Sequence, residues 1–508
     1  MHLASISIVI LISLNASSAL LAQHDVQRNA VREIALGKYD KVTKTLSSGK
    51  KPDAGPAETL YVEMLSLLAQ DKIEEAKVKA KAAQSMGLSL GRFLGGPRDL
   101  LSKLPESPQT KDLSLVHGPM IGNLAPNGAS FWVRTNKEVL VSIIIDDLKA
   151  SARTTADNDF TTVVRLEGLS PDKKYSYKLK IDGKPVKVEK ASFSTPPAIG
   201  KPGKFAIGFG GGGGFIPKWE YMWDTIRNQN PIAFLMLGDN VYIDDPEHDL
   251  TNHYCYSRRQ SRPEWRRLTS STAMYSIWDD HDFGLNDCIP GPEINKPAWK
   301  RRVWEIYKQN WVNPSYGGGL EQPGCWYDFQ LGDVHFMMLD GRYYRDLKGG
   351  SMLGKTQKKW LKKTLSESNG TFKIIASPVP FSPNIKPGSK DPWDGFPEER
   401  AEIFSWIKNK KIEGVFLVAA DRHRSDLRTI ENSGSYKLYE FESSRLTNRH
   451  THPVVKTKGL VWGYNKTCSF GFMRFDTTLD DPEVRFEVID IDGNKQEEYV
   501  LKRSKLEE

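Results

Sequence analysis

The order of apolar and polar positions divides the chain into four stretches. An apolar run, Ile6 to Leu14, is followed by small residues. From Val26 to about Leu101, apolar residues recur at helical spacing among Ala, Lys and Glu, which predicts amphipathic helices. Beyond a proline-bearing link, Leu104 to Thr110, the period shortens to two. Strands are expected at Ala129–Arg134, Val139–Ile145, Thr161–Leu166, Tyr175–Ile181 and Ala191–Ser194, separated by turn signals such as Asn127-Gly128, Ser170-Pro171-Asp172 and Asp182-Gly183. From Lys204 onward apolar strands alternate with helical segments, the mark of an α/β catalytic domain. The expected limits are 1–22 for an export signal, 23–110 helical, 111–200 a β-sandwich and 201–508 α/β.

Two of these stretches contain finer patterns. GKYDKV at Gly37 and DKIEEA at Asp71 sit in like places between apolar helical segments, offset by ~34 residues, the tetratricopeptide period. Two such hairpins are fewer than a solenoid normally needs. They read first as a helical packing element and second as a surface for a protein partner. In the β-rich stretch, LEGLSPDKKYSYKL running on to SFSTPP resembles the end of a fibronectin type III domain, and it holds no cluster of reactive residues.

Composition narrows the class. With 508 residues, 39% hydrophobic and 26% charged, the chain can bury substantial cores. A net charge of +8 suits anionic ligands, but Lys and Arg are dispersed and form no basic arm, so dedicated nucleic-acid binding is not expected. The Ile6–Leu14 run is too short to span a bilayer, and no later segment offers ~18 unbroken apolar residues. With a plausible cut after Ala19 or Ala22, that run predicts export to the periplasm, the cell surface or the medium. Export would permit disulfides among Cys255, Cys288, Cys325 and Cys468, in any of three pairings.

Chemistry gathers at the ends of the apolar strands. KFAIGF runs into GGGG, PIAFLMLG into Asp239-Asn240, MYSIW into Asp279-Asp280-His281-Asp282, VHFMML into Asp340-Gly341-Arg342 and VFLVAA into Asp421-Arg422-His423. In α/β folds these ends converge on one site. Taken singly, Asp239 could be a turn residue, His423 a packed histidine and Tyr242 part of the core. Together they supply more carboxylate and imidazole than nearby cations can balance, which calls for a metal. Gly208 to Gly213 also satisfies the dinucleotide-binding G-x-G-x-x-G pattern, but Ile216-Pro217 delays the following helix and a nicotinamide enzyme leaves WDDHD and DRH without a role. The glycines read instead as a loop whose backbone approaches a ligand closely.

GDNVY at Gly238–Tyr242, WDDHDFGLND at Trp278–Asp287, LDGRYYR at Leu339–Arg345, the Glu399-Arg400 pair, DRH at Asp421–His423, SSRLT at Ser443–Thr447 and SFGF at Ser469–Phe472 resemble, in order, the motifs of the alkaline phosphatase D (PhoD-like) family of the metallophosphoesterase superfamily. The resemblance runs from about residue 115 to 495. It implies two mixed sheets flanked by helices and a two-metal centre, iron and calcium in family members. By the same resemblance Asp239 would bridge the metals, Tyr242 would be a phenolate ligand, and Asp280, Asp421 and His423 would complete the ligand set. His281 would face the leaving-group oxygen and Arg342 would clamp the phosphoryl oxygens. Asp279, Asp282 and Asn286 are expected as supports. One ligand differs: where the family places a cysteine, this chain has glycine, within Gly210 to Gly214, and Ala420 replaces the family's glycine before Asp421.

The implied activity is hydrolysis of a small phosphate ester by metal-activated water attacking in line. A rival reading is a degenerate phosphatase domain that binds phosphorylated ligands without turnover. The inserts Glu247–Thr269 and Cys288–Gly324 are expected to rim the pocket, with the Arg and aromatic residues of YCYSRRQSRPEWRR facing substrate.

Overall fold

The computed structural model describes residues 25–48, 55–105, 108–432 and 435–508. The expected export signal and the link at 106–107 lie outside them. The chain divides into two compact units: one formed by residues 1–88 and 97–105, the other by 89–96 and 106–508.

In the first unit, helices Val26–Ala35 and Tyr39–Ser47 form one hairpin, and Gly55–Ala69 and Ile73–Ser85 a second. Each first helix ends the same way. Gly37 and Asp71 turn left-handed, at φ 68° and 57°, and the next N–H reaches back five residues, Lys38 to Glu33 O and Lys72 to Leu67 O, both at 2.9 Å. This closure satisfies the last carbonyls of a helix. It is the structural content of the spacing between Gly37 and Asp71. Val31, Ile34, Val42, Tyr61, Leu65, Leu68, Ala76 and Ala83 are buried.

The second unit is built on two large sheets. The expected β-rich stretch gives β1 (Leu115–Ala125), β2 (Gly128–Thr135), β3 (Leu140–Ile145), β4 (Leu148–Arg153), β5 (Thr161–Glu167), β6 (Lys174–Ser176), β7 (Lys178–Ile181), β8 (Lys184–Val186) and β9 (Ser192–Ser194). The α/β stretch supplies β10 (Lys204–Gly210), β11 (Ala233–Leu237), β12 (Ala273–Ile277), β13 (Tyr327–Leu331), β14 (Val334–Met338), β15 (Phe372–Ala376), β16 (Val415–Ala419), β17 (Ser425–Ile430), β18 (Leu438–Ser443), β19 (Leu460–Tyr464), β20 (Ser469–Asp476), β21 (Glu483–Asp490) and β22 (Lys495–Lys502). A nine-stranded sheet runs β22-β21-β20-β10-β11-β12-β1-β2-β5, and a seven-stranded sheet runs β13-β14-β15-β16-β18-β17-β19. The core strands β10, β11 and β12 are parallel, as are β14, β15, β16 and β18. Their all-buried sequences, such as AFLML and VFLVA, are what a parallel strand covered on both faces requires.

Aromatic rings join the two sheets. Tyr275 of β12 stacks on Phe329 of β13 at 3.8 Å, and Phe441 of β18 meets Phe486 of β21 at 4.6 Å. Such pairs add roughly 0.5–1.5 kcal/mol each beyond their buried area.

The β-rich stretch is continuous with the α/β stretch along one edge. β1, β2 and β5 extend the nine-stranded sheet, while β3, β4, β7 and β8 form a separate four-stranded sheet. The junction is a parallel pairing of Gly122 with Met274. A side chain there has no room, since a Cβ on Gly122 would lie 2.6 Å from Val312 O and 2.9 Å from Met274 O. Gly122→Val is therefore expected to cost about 1–3 kcal/mol through overpacking. Urea unfolding checks this, and an unchanged midpoint would show that the edge does not depend on that contact.

Candidate metal centre

The parallel strands of both sheets bring their carboxyl ends together, and a run of glycines ties one set of ends to the other. After β10, Gly211 N–H donates to Ser443 O (3.2 Å), Leu446 N–H donates to Gly211 O (3.0 Å), and Gly213 N–H donates to Asp239 O (2.7 Å). A Cβ on Gly211 would sit 2.7 Å from the Ala420 Cβ, one on Gly212 would sit 2.9 Å from Arg445 N, and one on Gly213 would sit 2.9 Å from Asn240 O. The closeness expected between these glycines and a ligand is thus closeness to the loops that carry the site. The next regular helix begins only at Met222, too far on for the tight turn of a dinucleotide fold.

Asp239 follows β11 and is 3% exposed. Its Oδ2 accepts from Tyr242 Oη at 2.8 Å, and Tyr242 Oη lies 2.9 Å from His423 Nε2. Asp239 Oδ1 and His423 Nδ1 are buried without a hydrogen-bond partner among the described residues. Asp239, Tyr242, Asp421, His423 and Arg445 all hold positive φ, between 48° and 75°. Non-glycine residues seldom adopt that conformation, and its concentration here marks a site over-determined by its surroundings.

Asp280 opens a one-turn helix after β12, and its oxygens accept from the N–H groups of His281 (3.0 Å) and Asp287 (2.6 Å). One donor atom each from Asp239, Asp280 and His281 lies within 4.8 Å of the others. His281 pairs through Nδ1 with Asp244 and stacks on the Tyr242 ring at 4.6 Å.

Electrostatics separates these groups. Burial pushes Asp239 up to about 8; His281 opposes this while Asp280 and Asp421 reinforce it. Burial also pushes Asp280 upward, but Arg342 and His281 outweigh it and hold that carboxyl down to about 2. For His281 burial works against the charged ring, yet Asp244, Asp280 and Asp239 prevail and raise it well above its ordinary value. Burial lowers His423 to about 4. A neutral imidazole beside a carboxylate that resists ionising is a donor set a cation would stabilise. In this respect Asp239, Asp280 and His423 fit a metal, with Tyr242 and Asp421 beside them.

The expected supports occupy structural places. Asp282 accepts from Asn240 N (2.9 Å) and Val241 N (3.0 Å), pinning the loop that carries Asp239. Asp279 accepts from Arg342 Nε at 2.5 Å. Asn286 is exposed. Glu399 caps the Met352 and Leu353 N–H groups at 2.6 and 3.2 Å.

Arg342 differs most from its expectation. It is 0% exposed, Nη1 donates to Asp391 at 2.7 Å, and Asp279 and Asp391 thus take two of its donors while Nη2 is buried without a hydrogen-bond partner among the described residues. Its Nη2 lies 3.7 Å from Asp280 Oδ1. The expected substrate-facing arginines also turn inward. Arg258 and Arg259 are each 2% exposed, with Arg259 Nη2 donating to Gly213 O at 2.5 Å and both guanidinium groups near the Phe215 ring. None of the four cysteines forms a disulfide among the described residues. Cys255 Sγ donates to the Tyr242 backbone carbonyl at 3.7 Å.

Sequence reasoning passed over Asp244, Asp391, His450 and His452. Asp244 lies just past GDNVY, and His450-Thr451-His452 just past SSRLT, so nearness to a motif was the available signal.

The family model for PhoD-like phosphatases matches residues 212–469. A model described as a domain of unknown function (DUF7800) matches residues 112–199. Alkaline phosphatase D of Bacillus subtilis (strain 168) is 23% identical over 310 residues, 52% of this chain and 53% of that protein. The chain thus matches about half the length of this curated relative. A solved structure of PhoD superposes with a TM-score of 0.61 at 17% identity, covering 77% of this chain and 91% of its own. A purple acid phosphatase from yellow lupin (Lupinus luteus) seeds superposes with a TM-score of 0.57 at 12% identity, covering 77% and 75%. At these identities the likeness is one of fold: mixed α/β, with several sheets flanked by helices.

The Arg342 geometry yields a test. Arg342→Met strands Asp279 as a buried carboxylate without its cation, while Asp391 keeps Arg345 and Lys386, an expected loss of about 3–5 kcal/mol in urea unfolding. A stable variant altered only in KM would instead indicate a group that grips substrate.

Proposed function

This chain belongs to the PhoD-like phosphatase family, and from that premise we propose that it is an exported, metal-dependent phosphoric ester hydrolase. The observation that carries this reading is Asp239: a buried carboxylate with one oxygen unpartnered, flanked by Tyr242, His423 and Asp280. In it Asp239, Tyr242, Asp280, Asp421 and His423 hold two metal ions, iron and calcium by family resemblance. Bound there, the metals supply Lewis acidity that activates water and neutralises phosphoryl charge. The substrate is a small phosphate monoester or diester, and the N-terminal hairpins are the surface for any protein partner.

The chain's own residues do the rest. His281 is oriented by Asp244 and held charged by three carboxylates, which suits it to protonate the departing oxygen. Tyr242 stacks on its ring and fixes its plane. Arg342 acts through other residues, neutralising Asp279 and Asp391 and leaving Asp280 ionised. The glycine run brings β10 to β18 so that Asp239 and His423 share one hydrogen-bonded cluster.

A second reading has its own observation. No side chain projects from the glycine run where the family's cysteine would stand, which is consistent with a domain that binds phosphorylated ligands without turnover.

Metal analysis of the purified chain, paired with hydrolysis of chromogenic phosphate mono- and diesters, separates the two. The hydrolase is expected to carry metal and lose activity on chelation. Asp239→Ala should lose both metal and activity, whereas His281→Asn should keep its metal and lose about 10²–10⁴-fold in kcat. No bound metal and no hydrolysis after adding iron, calcium, manganese or zinc would overturn the hydrolase reading. Ligand affinity without turnover would favour the second.

A further inference from the structure

Beyond SSRLT the chain places His450 and His452 on a loop that returns to His423. One ring nitrogen from each of the three lies within 4.8 Å of the other two. The ring centroids are 5.4 Å apart for His423 and His450, 5.7 Å for His423 and His452, and 4.5 Å for His450 and His452. His423 is 7% exposed and presents Nδ1 buried and unpartnered, although Nε2 is engaged with Tyr242. Three imidazole nitrogens that converge in this way are a donor set that a shared cation can take.

The loop is held in place by contacts that do not use the rings. Thr451 Oγ1 donates to His423 O at 3.1 Å, and His450 N–H donates to Asn448 Oδ1 at 2.8 Å. Asn465 Nδ2 donates to His452 O at 2.9 Å, and Arg445 Nη1 donates to Asn465 O at 3.1 Å. The base of the loop lies against the glycine run, where a Cβ on Gly214 would sit 3.2 Å from Asn448 Cα and one on Gly212 would sit 3.4 Å from His423 Cδ2. Larger residues in the run would push this loop outward.

We propose that His423, His450 and His452 form an imidazole-only ligand set for a divalent transition metal, at the edge of the acidic centre. Imidazole favours zinc, cobalt, nickel or copper over calcium or magnesium, so this set selects a different metal from the carboxylates around Asp280. The inference rests on the metal-centre reading only through His423, which both sets share.

The full chain, stripped with a chelator and reloaded with Co²⁺, provides the test. Metal content after gel filtration is measured by mass spectrometry and coordination by the visible cobalt spectrum. The double variant His450→Ala/His452→Ala is expected to lose the imidazole-bound cobalt and its bands, while Asp280→Asn retains them. In the unmutated chain, peptide mapping after diethylpyrocarbonate treatment should show His450 and His452 protected by Co²⁺, a measurement that does not depend on a variant folding. Equal cobalt content and spectrum in the double variant, or equal modification with and without Co²⁺, would overturn the site. Loss of cobalt in a chain that hydrolyses no ester would leave the site standing and remove the hydrolase reading. Hydrolysis with unchanged cobalt in the double variant would do the reverse.

Discussion

Main-chain hydrogen bonds from Gly211, Gly212 and Gly213 are the constraint on which the rest of the site depends. They join β10 to the loop after β18 on one side and to the loop after β11 on the other. Two sheets packed through aromatic rings could slide or twist by small amounts, since such contacts tolerate several arrangements. Hydrogen bonds between chain ends tolerate far less. The left-handed conformations of Asp239, Tyr242, Asp421, His423 and Arg445 are sustained by this stitching and the packing around it.

A second constraint is charge. Asp279, Asp280 and Asp391 converge on Arg342, with Lys386 reaching both Asp287 and Asp391. Buried ion pairs contribute little net stability, because desolvation offsets most of the attraction. Their worth here is differential. Arg342 and His281 hold Asp280 in its charged form, while burial pushes Asp239 toward its neutral form. Two carboxylates in one pocket thereby differ in how readily they carry charge.

Much of the site was legible in the sequence because it follows a simple rule: apolar strands end in polar residues where the sheets end. Asp239, Asp280, His281, Asp421 and His423 were each found that way, and the structure brings them to the same end of the two sheets. Arg342 obeyed the rule as well, but the sequence cannot say whether a guanidinium faces a ligand or two aspartates. That is decided by Asp391, distant along the chain. The arginines of YCYSRRQ misled for a related reason: charge suggests solvent, yet the helix Asp249–Gln260 buries Arg258 and Arg259 against Phe215 and the glycine run. The strands of the β-rich stretch were visible from their alternation, but their joining to the catalytic sheet rests on Gly122, which carries no pattern at all.

The glycine run also sets how this protein can fail. The run itself contributes only backbone atoms to the contacts that unite the strand ends, so no deletion of a side chain within the run can sever them. Only added carbon can, since each position is closed by a neighbour's backbone or methyl group. At most core positions harm comes from removing atoms and leaving cavities. Here, as at Gly122, the fold is vulnerable to gain instead, and damaging substitutions in the run should grade with the bulk they introduce.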